Sequence, residues 1–275
     1  MRNHQIWETS PMQLNVAEDK TNLDPSLGPR AMSGAQSLVL DYLSAINPHS
    51  RILDMPAGQG YLAQWAHNRG FIVECCDIDP NLFRVDGINC KKVNLNRDPL
   101  PYESDSFDYV VSVGGLHRLF NPRNAISEAW RVLVPEGSLI IGLKNYTSLR
   151  RRLSFLLTGF HGRNIVTQNF HQTIADPEAN FRFPLTAIYL FKMLQDAGFL
   201  LHETKADGFS SEGIILFPIV LLIKAHNRLR HAYYSRKMGM EFSVPLPVLM
   251  GKSYVLFVSR KVYPNDMSKC SCLNP

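Results

Sequence analysis

The chain has 275 residues, of which 45% are hydrophobic and 19% charged, and a formal net charge of +5 at neutral pH. That length suits one α/β domain with room for a lid or an insertion, and that composition excludes a globally disordered chain. The mild positive charge permits an anionic partner without demanding one.

Residues 1–30 are polar and broken by Pro11, Pro25 and Pro29, which predicts a mobile or loosely docked extension. The domain proper is expected over 31–262, with 263–275 as a tail. Leu38, Val39, Tyr42 and Leu43 recur at helical spacing and predict a helix over Ser33–Ile46. A βαβ rhythm follows. RILDM (51–55) reads as a buried strand, then comes a Gly-rich turn and a helix from about Tyr61 to Asn68. FIVECCD (71–77), CKKVNL (90–95) and FDYVVSVGGL (107–116) read as the next three strands. AISEAWRVLV (125–134) predicts a helix ending at Pro135-Glu136-Gly137, and SLIIGLKN (138–145) a fifth strand. A helix is expected near Leu185–Ala197, and LLHETKAD (200–207) and SYVLFVSRK (253–261) close the sheet. Strands alternating with short helices predict an α/β fold: a Rossmann-like, mostly parallel seven-stranded sheet with helices on both faces. Segments 147–184 and 209–250 are expected to form lids or acceptor-side insertions.

The five cysteines, Cys75, Cys76, Cys90, Cys270 and Cys272, are an odd number without the paired spacing of a zinc site. No metal and a reducing, cytoplasmic location are expected. The N-terminus is too polar for a secretory signal, and no apolar run reaches the ~18 residues of a membrane span.

The most informative stretch is ILDMPAGQGYLAQWA. A strand runs into Asp54, then a loop with Gly58 and Gly60, then a helix. Small residues let the backbone approach a ligand closely, and the helix N-terminus supplies free N–H groups. Seventeen positions after Gly60 the second strand ends on Asp77, where a carboxylate can accept hydrogen bonds from both hydroxyls of a ribose. Asp79, before Pro80, suits a helix N-cap.

LDMPAGQG resembles motif I of class I S-adenosylmethionine-dependent methyltransferases, and CDIDPNLF resembles their acidic second motif. VNLNRDPLPYESDSFDYVVSVGGLHRLFNPRNAISEAWRVLVPEGSLII is similar to their third strand through their fifth. The resemblance covers roughly 35–146, and more loosely the AGF segment near Leu194–Phe199 and the final strand. It implies S-adenosyl-L-methionine as cofactor. Asp54 would orient the loop or the methionine amino group, and Ala57, Gly58 and Gly60 would pass beneath the ligand. Asp77 would hold the ribose, Ile78 would pack on the adenine, and Asn94 and Leu95 would read the adenine edge. Asn94 departs from the acidic residue usual there, although its amide oxygen can accept from an amine. Pro56 replaces the first glycine of the loop. A dinucleotide reading is disfavoured, because Gly60 is followed by Tyr61-Leu62-Ala63 rather than the third glycine, and Asp54 would oppose a pyrophosphate.

For the acceptor, Val113-Gly114-Gly115-Leu116-His117 places a histidine at the mouth of the expected site. His117 is either a general base for a hydroxyl or a side chain packed under the next loop. His161 and His171 are further candidates on the expected lid. No Asn/Asp-Pro-Pro-aromatic turn follows strand four, no Pro-Cys nucleophile stands there, and no acidic cluster suggests a divalent ion. The apolar run Ile214–Ile223 is followed by Lys224, Arg228, Arg230, Arg236 and Lys237. Arg150-Arg151-Arg152 beside Leu153, Phe155, Leu156 and Leu157 repeats the pattern. The two segments, 147–158 and 214–237, read either as core beside a solvated basic helix or as a peripheral membrane contact.

The arrangement of the C-terminal half is also similar to methyltransferases of bacterial surface-glycan and lipid-linked sugar pathways. That similarity implies a glycan or small hydroxylated metabolite as acceptor, methylated on oxygen. RNA or protein as acceptor, and a fold that binds without catalysing, stand as alternatives.

Overall fold

The computed structural model describes residues 33–159, 183–238 and 244–263. The expected extension (1–30), most of the expected tail, and His161 and His171 lie outside the described residues. Helix α1 (Ser33–Leu43) leads into β1 (Arg51–Asp54), α2 (Tyr61–Asn68), β2 (Ile72–Asp77), β3 (Cys90–Lys92), β4 (Phe107–Val113), α3 (Pro122–Val132) and β5 (Leu133–Lys144). The second half adds α4 (Leu149–Thr158), α5 (Ala187–Asp196), β6 (Phe199–Ala206), α6 (Ser211–Ile215), α7 (Phe217–Met238), α8 (Leu246–Met250) and β7 (Tyr254–Lys261).

The strands form one seven-stranded sheet in the order β3-β2-β1-β4-β5-β7-β6. The first four pairings, which join β3, β2, β1, β4 and β5, are parallel, and β7 enters antiparallel between β5 and β6. This is the Rossmann-like α/β architecture. Strand neighbours face opposite ways because side chains alternate along a strand. Leu53, Val110, Ile141 and Phe257 join the core under α3 and α5, whereas Ile52, Val111, Ile140 and Leu256 join the core under α1 and α2. Burial on both faces explains why these strands read as continuous apolar runs. The chain leaves β1 toward β2 and β3 on one side, then returns to β4 and β5 on the other. Connections therefore diverge at the carboxyl ends of β1 and β4, and that divergence opens the crevice where such sheets bind ligands.

Several boundaries differ from the sequence reading, each for a local reason. The third strand stops at Lys92, because the Asp98 carboxylate accepts the Asn94 N–H at 2.8 Å and Asn94 Oδ1 accepts the Asn96 N–H at 3.0 Å, curling the chain into a turn. The fourth strand ends at Val113, since Gly114 takes φ +66°. Helix α3 begins at Pro122, whose missing N–H is harmless in a first turn, and ends at Val132 rather than Val134. The chain passes straight into β5 at Leu133, opposite Phe107, and the Pro135-Glu136-Gly137 segment lies within the strand as an irregularity before Ser138 pairs with Tyr109. Gly137 is required there, because a Cβ would stand 2.8 Å from the Val134 carbonyl oxygen.

The run Ile214–Ile223 is core along one stripe only. Val220 is buried, and Leu216 and Ile223, at helical spacing from it, pack against the same cluster. The other face of α7 exposes Phe217, Ile219, Leu221 and Leu222. The core reading of the whole run is corrected to that extent. Arg152, expected as a surface cation, is partly buried and donates from Nε to the Thr147 carbonyl at 3.0 Å.

At the opposite end of the sheet, Lys261 is buried and donates at 2.6 Å to both Asp105 Oδ1 and the Leu133 carbonyl. Its ammonium also lies 4.2 Å from the Trp130 ring centroid. It thereby ties the end of β7 to the start of β5. Lys261→Ala should lower stability by about 2–4 kcal/mol in urea unfolding, through a cavity and an orphaned carbonyl. Lys205→Ala, which removes an exposed pair with Glu203, should stay within about 0.5 kcal/mol.

Candidate active site

The loop after β1 is fastened to both neighbouring strands. The Met55 N–H donates to the Val111 carbonyl at 2.9 Å, and the Ala57 N–H to the Cys76 carbonyl at 3.0 Å. The Met55–Pro56 peptide is cis. Gly60, at φ +93°, is the residue before α2, and a Cβ there would stand 2.5 Å from Val85 Cγ2 and 2.7 Å from a Phe83 ring carbon. Gly58 differs. Its φ of +56° suits glycine, but a Cβ would meet nothing within 4 Å. One side of the loop is thus packed and the other open to a ligand.

Two carboxyl groups stand at the carboxyl ends of the adjacent strands, Asp54 at the end of β1 and Asp77 at the end of β2; both are buried. Asp77 organises the loop: its Oδ2 accepts the Gly58 N–H at 2.8 Å and its Oδ1 the Asp79 N–H at 3.1 Å. Each oxygen retains a lone pair, so two ribose hydroxyls could still donate to it. Asp79 instead caps the 3₁₀ turn Pro80–Leu82 through the Asn81 N–H at 3.2 Å.

Asp54 has no side-chain hydrogen bond or ion pair among the described residues. Burial pushes its carboxyl well above the usual range, and the nearby charge of Asp77 pushes the same way. A buried acid beside a second acid, with no cationic side chain to answer it, favours a cationic ligand. S-adenosylmethionine carries an ammonium and a sulfonium, so these residues fit it. A pyrophosphate would meet repulsion.

The remaining positions divide. Ile78 is 42% exposed beside Asp77, free to pack on a planar group. Asn94 is buried, and its amide oxygen accepts the Asn96 N–H at 3.0 Å. Leu95 is packed into the core, with its carbonyl accepting from Asn124 Nδ2 at 3.1 Å. Asn121 and Asn124 of the α3 start thus hold the 94–98 turn, a role the sequence reading did not assign.

The loop after β4 touches the cofactor loop directly. A Cβ on Gly115 would stand 2.1 Å from Pro56 Cδ, so proline at 56 requires glycine at 115. That pairing was not read from the sequence, although the two departures from ordinary residues are both visible in it. The 3₁₀ turn Leu116–Arg118 then presents His117, buried, with its ring centroid 6.5 Å from that of Tyr146. The His117 carbonyl accepts the Phe183 N–H at 3.0 Å.

Tyr146 belongs to a buried polar segment after β5. Asn145 Nδ2 donates to the Val248 carbonyl at 2.8 Å, its Oδ1 accepts the Thr147 N–H at 3.2 Å, and Thr147 Oγ1 accepts the Ala187 N–H at 2.7 Å. Burial pushes the Cys90 thiol to about 12 and those of Cys75 and Cys76 well upward, which makes them poor nucleophiles. No cluster suited to a metal ion occurs among the described residues.

Asp54 should act on stability and on binding with opposite signs. Its raised folded-state pKa favours the protonated form, so its contribution to stability is present at low pH and lost as pH rises through that pKa. Above it, ionised Asp54 destabilises the ligand-free fold. Asp54→Asn should therefore raise the melting temperature of the ligand-free protein by an amount that grows as the pH is raised. The same change should weaken S-adenosylhomocysteine by about 10- to 100-fold in calorimetry, the scale of a hydrogen bond to a charged group. Wild-type affinity should fall as pH drops through the Asp54 pKa.

Residues 53–141 match a family described as methyltransferase domain. The ubiquinone/menaquinone biosynthesis C-methyltransferase of Hydrogenovibrio crunogenus is 29% identical over 194 residues, 63% of this chain and 73% of that protein. The enzyme of the same description from Rickettsia prowazekii is 26% identical over 58% of this chain and 68% of its own length. Among solved structures, a SAM dependent methyltransferase from Archaeoglobus fulgidus superposes with a TM-score of 0.52 at 16% identity, over 82% of this chain and 92% of that one. That likeness concerns the fold; the sequence relatives and the matched domain concern the activity. The match over residues 53–141, with the buried acids and the glycine loop at the switch point, marks an S-adenosylmethionine-dependent methyltransferase domain on a class I fold.

Proposed function

We propose that the protein transfers a methyl group to a hydroxyl of a glycan or small hydroxylated metabolite, with His117 as the base. The observation that carries this reading is the contact of Gly115 with Pro56, which sets the His117 turn against the cofactor loop. The cofactor supplies an electrophilic methyl group on a positively charged sulfur. Asp54 and Asp77 hold and orient it, and the open side of Gly58 leaves room for its chain. An imidazole nitrogen of His117 would take the acceptor's hydroxyl proton, giving an oxygen nucleophile, while Tyr146 packs nearby. Positioning then does most of the remaining work, since methyl transfer is an in-line displacement.

A second reading rests on the relatives, which are named C-methyltransferases. Removing a proton from a ring hydroxyl also enriches the adjacent ring carbon in electron density. The same base could therefore serve carbon methylation of a hydroxylated ring.

Both readings are tested with ¹³C-methyl-labelled cofactor and a panel of glycosides and quinols, because O-methyl and C-methyl products differ plainly in ¹³C chemical shift. With the acceptor found, His117→Gln should lower kcat by about 100-fold or more while S-adenosylhomocysteine affinity stays within about twofold. An unchanged kcat and pH profile would assign His117 to packing alone.

A further inference from the structure

We infer that α4, α6 and α7 form a docking face for an anionic lipid surface, on the edge of the sheet that carries the active site. The inference rests on the site being at that edge, and not on which acceptor is methylated.

The topology sets the location. Strand β5 ends at Lys144 opposite Tyr254, where the antiparallel β7 begins, and β6 ends at Ala206 opposite Val255. Segments 145–158 and 207–253 therefore lie beyond the carboxyl ends of the parallel strands, the edge that also bears Asp54, Asp77 and His117. Helix α4 packs against α6, and α6 against α7, so their outer faces adjoin.

Those faces are apolar to an unusual degree. Leu156, Leu157, Ile215 and Leu222 are 79%, 75%, 75% and 69% exposed, with Leu153 and Leu221 beside them. Single exposed apolar side chains are ordinary, whereas a contiguous group of them marks an interaction surface. The arrangement of charge indicates the partner. Helix α7 is apolar over 217–223 and then carries exposed Lys224, Arg228 and Arg230, with no acidic residue in its length. Arg150 and Arg151 open α4, which also has no acidic residue. At 1.5 Å per residue the apolar part of α7 is about 10 Å long, so its cations follow the apolar patch closely enough to meet headgroups at its rim. No helix among the described residues is long and apolar enough to cross a membrane, so the contact is peripheral. A second copy on the same face would set positive flank against positive flank in a two-fold dimer.

The test is co-sedimentation of the full chain with vesicles of phosphatidylcholine alone and with about one-third phosphatidylglycerol. Wild type should pellet with the anionic vesicles and be released by added salt. Leu156→Glu/Leu222→Glu should lose more than about tenfold in vesicle affinity, and Lys224→Gln/Arg228→Gln a comparable factor, at about fivefold per basic residue. Both pairs replace exposed side chains away from the cofactor loop, so S-adenosylhomocysteine affinity, measured in parallel, should not change. Failure of wild type to pellet, or pelleting of both variants as strongly as wild type, would overturn the inference. So would sedimentation velocity showing a wild-type dimer that the Glu variant dissociates while vesicles go unbound. Retained ligand affinity in any of these outcomes leaves the methyltransferase site standing, which keeps the two failures distinguishable.

Discussion

A carboxyl group buried at the edge of a parallel sheet must either keep its proton or be answered by a cation. Asp54 stands in that position with no side-chain partner among the described residues and with Asp77 close enough to oppose its ionisation. The rest of the site is arranged around this condition. Asp77 spends its backbone hydrogen bonds on the Gly58 and Asp79 amides, fixing the loop that passes between the two acids. The open side of Gly58 leaves space where a positively charged ligand can lie. On the proposed reading, a cofactor bearing an ammonium and a sulfonium would relieve in binding the unfavourable charge that the ligand-free fold carries.

The scaffold delivers this arrangement through ordinary α/β logic. Strands β1 and β4 part their connections at their carboxyl ends, and packing on both sheet faces makes that divergence rigid. The Pro56–Gly115 contact then locks the β1 and β4 loops to each other, which places the His117 turn relative to the cofactor loop. Behind β5, the Asn145–Thr147 network reaches Val248 and Ala187, so α5 and α8 are anchored to the same edge by buried hydrogen bonds. Such bonds, once formed in the interior, are expensive to break because the freed groups have no water to replace them.

The strands and the acids were legible because they depend on local signals. ILD followed by a glycine loop, and a strand closing on Asp77, carry their meaning within a few residues. Boundaries were less legible where a long-range partner decides them. Leu133 joins β5 because Phe107 lies opposite, and the third strand ends early because Asp98 and Asn94 turn the chain back on itself. Position 115 is glycine because of proline 56, fifty-nine residues away, and no periodicity encodes that pairing. The run Ile214–Ile223 was ambiguous for a physical reason: it is apolar all round, yet only the stripe through Val220 meets the core. Arg152 read as a surface charge because its neighbours are, and only the fold shows it bonded to Thr147.

The central claim is electrostatic: cofactor binding converts a proton-holding Asp54 into a carboxylate paired with a cation. Calorimetric titration of S-adenosylhomocysteine in buffers of differing ionisation enthalpy measures this directly, as protons released per ligand bound. The account predicts net release at acidic pH, declining to zero as pH rises past the Asp54 pKa, because a carboxylate already ionised has no proton to give up. Absence of any proton release at every pH where the protein is folded, with binding intact, would contradict it.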